Sequence, residues 1–220
     1  FLDVCLWRRG YDPVPWLPAV PVPGADNFVF DTAAVRRGPE FRLSEDDSRI
    51  RYDYRVTVSD LFIERFLETA GGWAEDRGMH LRAQSYGADL DLIRAAGAAP
   101  IPEAEQLYGG GAEMFLKIVA SGAMLYGRPV VSAESLVWIG RACMTTPLKI
   151  KAAADKMFVS GINRVVFHGF PYRENHAYGE TGWHPFSSPF GGSSAVSSLI
   201  AETSPFWRFL PEVNRYISRC

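Results

Sequence analysis

Pro129-Val130-Val131-Ser132-Ala133-Glu134 is the stretch from which the chain is best read. Two valines behind a proline predict a short buried strand, and the run ends on small residues and a carboxylate. A strand that is apolar along its length and acidic at its carboxyl end suits a βα-barrel, where chemistry gathers at that end. A structural reading stands beside it: Glu134 could cap the next helix or pair with a nearby arginine.

Three more strand candidates flank this one. Residues 81–86 (LRAQSY) precede Gly87, residues 99–103 (APIPE) carry two prolines that predict a short or irregular strand, and residues 164–168 (RVVFH) close at Gly169. Helical spacing predicts helices near 90–96, over 112–126 and over 147–159, the last with Pro147 in its first turn and Gly161 after its end. Repeated β-then-α units imply a parallel sheet with right-handed crossovers. Four such units make half of an eight-fold barrel or an open doubly wound sheet. No GxGxxG follows the first strand and no GxxxxGK[ST] occurs. Gly109-Gly110-Gly111 lacks the lysine and hydroxyl of a phosphate loop and reads as a flexible turn.

Ahead of these units, residues 1–51 read as loop-rich, because Pro13, Pro15, Pro18, Pro21 and Pro23 forbid a helix interior or a central strand there. From 52 to 77, Tyr54, Val58, Leu61, Phe62, Phe66, Ala70 and Trp73 recur at helical spacing and predict one apolar face. Residues 169–204 hold Phe170, Tyr172, Tyr178, Trp183, Phe186 and Phe190 among glycines and prolines, too aromatic for a bare connector. Their rings suit the C–H faces of a sugar, or plug the mouth of the fold. Residues 205–220 predict a terminal amphipathic helix.

Composition narrows the function classes. With 23 Lys and Arg against 25 Asp and Glu, the net charge of −2 leaves no footprint for nucleic acid or an anionic membrane. No apolar run reaches the length of a membrane span. Cys5, Cys143 and Cys220 lie far apart, so neither a zinc site nor a disulfide framework is argued. The chain opens at Phe1 without a start segment and stops straight after a helical pattern, which predicts a piece of a larger polypeptide.

Polar residues stand where each strand ends: Gln84, Ser85 and Tyr86, then Glu103 and Glu105, then Glu134, then His168. Each has a structural reading. Gln84 could satisfy backbone groups, the Glu103/Glu105 pair could open a helix, and His168 could be a hydrogen-bonded core histidine. Together, on one rim, they suit glycoside hydrolysis, in which one acid protonates the leaving oxygen and a second carboxylate activates water or attacks the sugar. Further carboxylates and hydroxyls could hold a hard cation that orients a sugar diol.

The series RRGYDPVPWLP, RYDYRVTVSDLFIERF, LRAQSYG, IPEAE, VVSAESLVW and TTPLKIKAAADKMFVSGINRVVFHGFPY, in this order, resembles the α-L-rhamnosidases of glycoside hydrolase family 106. The resemblance implies a (β/α)8 TIM-barrel catalytic domain, with this chain, 1–220, carrying about its second half. It implies an inverting release of terminal α-L-rhamnose from a glycan or glycoside, assisted by calcium. Glu134 is then the general base. Glu103 matches the acidic position associated with the metal, with Glu105 a second candidate. Gln84, Tyr86, Trp138, His168 and Tyr172 would line the sugar subsite.

The family's general acid sits in a strand before the RRGYDP segment. Asp3 does not match it and Glu40 comes too late, so the acid is expected upstream of Phe1 and this segment alone is expected to be inactive. The rest of the same polypeptide is the expected partner, and a periplasmic or extracellular location is the family expectation. Two alternatives remain open: a barrel glycosidase of other specificity, β-galactosidase-like for example, and a non-catalytic carbohydrate-binding barrel fragment.

Overall fold

The structure, a computed structural model, describes residues 1–20, 43–106, 111–136, 138 and 146–168. The aromatic run after 168, with Tyr172 and the expected terminal helix, lies outside the described residues. Four parallel strands in sequential order form the sheet: β1 (Arg82–Ala83), β2 (Ile101–Glu105), β3 (Ser132–Ser135) and β4 (Arg164–Phe167). Each crossover carries a helix: α4 (Leu92–Ala98), α5 (Glu113–Leu125) and α6 (Pro147–Val159). Local chemistry starts two of them. Asp91 accepts the Arg94 N–H at 3.1 Å at the start of α4, and Thr146 accepts the Lys149 N–H at 3.3 Å ahead of Pro147 in α6.

The strands differ in detail from the expected ones. Ile101 and Pro102 open β2, where a proline costs least, and the strand runs on to include Glu105. The valines of the 129–134 stretch precede the ladder. Val131 is buried and its carbonyl accepts the N–H groups of Asn163 and Arg164, both at 3.0 Å. The strand itself, SAES, is small and polar rather than apolar along its length. Period-two alternation explains this. Ala104, Ala133, Val165 and Phe167 face the helices and join a core with Phe115, Leu116, Ile150 and Met157. Glu103, Ser132 and Glu134 point to the opposite face.

Residues 1–20 hold more helix than the prolines suggested, and 21–42 lie outside the described residues. Helix α1 (Leu2–Arg9) ends at Gly10, whose left-handed φ of 82° comes easily to a residue without a Cβ, and a 3-10 helix spans Val14–Ala19. Helix α2 (Asp47–Leu61) passes through a π turn (Phe62–Leu67) into α3 (Glu68–Glu75). The expected apolar face is corrected here: Phe66 and Trp73 are each 56 % exposed, while Ile63, Leu67 and Ala74 are buried. One cause is the π turn, whose extra residue shifts the helical phase. The other is that α2 buries polar groups against α1. Arg9 donates to Thr57, Arg8, Arg9 and Arg94 all pair with Asp60, and Arg8 also pairs with Glu64. Burial alone would raise the Asp60 pKa, but the hydrogen bonds from Arg94 and Arg8 hold it below the ordinary value. Among the described residues no helix is long and apolar enough to cross a membrane.

Helices α4 and α5 touch through small residues, which fixes how closely both lie on the sheet. A Cβ on Gly122 would meet the Ile93 carbonyl oxygen at 2.6 Å and the Ala96 Cβ at 2.8 Å. Gly122→Ala should therefore lower stability by about 1–3 kcal/mol, the usual cost of overpacking. The measurement is the thermal unfolding midpoint of the complete protein, and an unchanged midpoint would show that the two helices part freely.

Candidate active site

The polar face of the sheet carries the candidate site, and the strand pairing builds it. Glu103 lies opposite Ser132, and Glu105 opposite Glu134. Side chains alternate along each strand, so residues two apart share a face, and all four side chains belong to one face. Gln84, the residue after β1, reaches into the same layer. Its amide nitrogen donates to Glu103 Oε1 at 3.2 Å and to Glu134 Oε2, using both hydrogens to bridge two carboxylates. His168, just past β4, brings Nε2 to 3.5 Å from Glu134 Oε1. Tyr86 donates its hydroxyl to Glu105 at 3.0 Å. The structure thus joins Gln84, Glu103, Glu134 and His168 into one cluster, with the Tyr86–Glu105 pair beside it.

Glu103 is 6 % exposed and well supplied with donors. Besides Gln84, its Oε2 accepts from Ser132 at 2.8 Å and pairs with Arg82 Nε at 3.2 Å. Sequence reasoning missed both partners, although each lies two residues before an assigned one and so shares its face. Burial pushes the Tyr86 phenol well above its usual range, and the charges of Glu105, Glu134 and Glu103 push it further, so Tyr86 stays protonated as a donor. Glu105 also moves up. Burial is the main cause and Glu134 adds to it, against the opposing effects of the Tyr86 hydrogen bond and His168.

Trp138 packs on the helix side, against the core, with Lys149 Nζ 4.7 Å above its ring. Its described contacts do not take it to the carboxylates. Nor do the described residues complete a calcium site. Among them no group of three or more His, Cys, Asp or Glu stands where it could hold a metal, and the oxygens of Glu103 are taken by protein donors. Calcium wants six to eight oxygen ligands. What the cluster can do is hold the Glu134 carboxylate in a fixed direction, between an amide and an imidazole, ready to accept a proton.

Comparisons with known proteins agree in kind. The family model for alpha-L-rhamnosidases, glycoside hydrolase family 106, matches residues 5–178. The fold is shared with a solved structure, a rhamnosidase from Novosphingobium sp. PP1Y, at a TM-score of 0.60 and 23 % identity. That match covers 99 % of this chain and 19 % of the other, so the chain spans about a fifth of that protein's length. No curated protein gives a match.

The Glu105 shift has a stability consequence. A carboxyl whose folded pKa is raised favours folding while protonated, fully so below its ordinary value of 4.5, and that stability is lost as pH rises through the folded pKa. Glu105→Gln keeps an acceptor for Tyr86 and removes the loss. The variant should unfold at a higher temperature than wild type near neutral pH, with the difference closing toward pH 4.5 and below. A difference that instead grows in acid would contradict this sign.

Proposed function

Because the chain belongs to the α-L-rhamnosidases of glycoside hydrolase family 106, we propose that it supplies the general-base side of an inverting α-L-rhamnosidase active site. The four parallel strands are then half of a (β/α)8 barrel, and the carboxylate-bearing face of the sheet is the barrel interior. The observation that carries the reading is the convergence of Gln84 and His168 on Glu134.

In this reading Glu134 takes a proton from a water molecule as that water attacks the anomeric carbon. A carboxylic acid from the polypeptide before Phe1 protonates the departing oxygen on the opposite face of the ring. Gln84 and His168 direct Glu134, so that its basic oxygen faces the water and not the leaving group. Glu103, bound by Ser132 and Arg82, anchors Gln84 from its other side. Tyr86, kept protonated, offers a hydroxyl at the same layer. The substrate is a glycan or glycoside ending in α-L-rhamnose, met in the periplasm or outside the cell. The expected calcium would need Glu103 or Glu105, or both, together with oxygen ligands from beyond the described residues, and no step above runs through it. Tyr172 and Trp138 enter only as further candidates for the sugar subsite.

The test uses the complete protein and an aryl α-L-rhamnoside. Glu134→Gln should cut kcat by roughly 100- to 10,000-fold, the range for loss of a general base. Proton NMR of the first product should show the β anomer of rhamnose. A Glu134→Gln enzyme of wild-type activity would remove the base assignment, and the α anomer formed first would replace inversion with retention. If calcium serves the reaction, a chelator should lower kcat/KM and added calcium should restore it.

A further inference from the structure

At the carboxyl end of β3 lies an exchange of hydrogen bonds that the proposed chemistry leaves unused. Gln106, the residue after β2, donates its N–H to the Glu134 carbonyl at 2.8 Å. In a regular parallel ladder the next bond would run from the N–H of residue 136 to the main-chain carbonyl of residue 106. Here the Leu136 N–H donates instead to Oε1 of the Gln106 side chain, at 2.8 Å. The side-chain amide stands in for its own main-chain carbonyl, and the ladder ends.

This replacement coincides with a strained turn. Leu136 has φ 68°, and no other described residue except glycine has a positive φ. A left-handed leucine persists only where its surroundings hold it there. Two holds are visible: the side chain of Leu136 is fully buried in the core, and its N–H is held by Gln106. On the far flank the His168 N–H donates to the Ser135 carbonyl at 3.0 Å. Residues 134–136 are therefore pinned from both neighbouring strands, at the point where Glu134 meets Gln84 and His168. Gln106 is itself 8 % exposed, so water competes little for its oxygen.

We propose that Gln106 is a positioning residue for Glu134: its side-chain amide fixes the left-handed turn at Leu136 and thereby the direction of the Glu134 carboxylate. The proposal rests on the reading of Glu134 as general base. It predicts a loss in the chemical step and not in sugar binding, because Gln106 acts through the strand end.

The experiment is steady-state hydrolysis of an aryl α-L-rhamnoside by the complete protein, wild type first. A wild type without turnover would remove the rhamnosidase reading and this proposal with it. An active wild type leaves the variants to decide on Gln106 alone. Gln106→Met keeps the length and drops the acceptor, and should lower kcat about tenfold or more with KM within about twofold, the pattern of an interaction made in the transition state. Gln106→Glu keeps an acceptor oxygen at the same reach and should recover most of that kcat. Gly122→Ala, destabilised elsewhere, should keep wild-type kcat. Should Gln106→Met fail to fold, Gln106→Asn, one methylene short of Leu136, replaces it with the same expected split. Wild-type kcat in the variant that folds, or an equal kcat loss in Gly122→Ala, would overturn the proposal.

Discussion

Parallel pairing of β2 with β3 sets Glu105 directly opposite Glu134, and the site depends on that one register. Like charges facing each other across strands are unfavourable. The surrounding side chains offset the repulsion unequally. Glu134 is met by Gln84 and His168, and Glu103, one step earlier, by Ser132, Arg82 and the same Gln84. Glu105 is met by a neutral phenol, and burial, with the charge of Glu134 adding to it, raises its pKa. A cluster of this kind is costly to fold. In the proposed reading the gain that offsets this cost is chemical.

The same register explains why one sheet serves two purposes. Side chains alternate along each strand, so every residue given to the site leaves its neighbours for the core. Ala104 sits between Glu103 and Glu105, and Ala133 between Ser132 and Glu134. Both core-facing residues are alanines, which lets α5 lie close to β2. The small residues between α4 and α5 continue that economy of space, with Gly122 against Ile93 and Gly97 against the ring of Tyr126.

Much of this was legible in the sequence where local chemistry decides. Helix α6 runs from Pro147 to Val159 as the proline and the following glycine indicated. The order of strands, and the gathering of Gln84, Glu103, Glu134 and His168, followed from their places at successive strand ends. Legibility failed where distant partners decide. The face of α2 was misread because apolar spacing cannot see that Thr57 and Asp60 are buried by arginines from α1 and α4. The β3 stretch was read as apolar because its valines come just before the ladder. Gln106 gave no signal at all, since its role lies in replacing a main-chain carbonyl, which no residue pattern encodes.

The π turn between α2 and α3 gives the long helix two different joints. Upstream of it, Thr57 and Asp60 meet the arginines of α1, and the attachment is ionic. Within the turn itself, Ile63 and Leu67 cluster with Ala95, Leu81 and Ala83 beside the sheet, and the attachment is oily. One inserted residue thus works as a phase shifter, turning a single rod so that each half meets its own partner. Deleting it would restore an ordinary helical period and swing one of the two halves away from whatever it holds. The length of the helix would barely change, but the N-terminal segment and the sheet would no longer be fastened to the same beam.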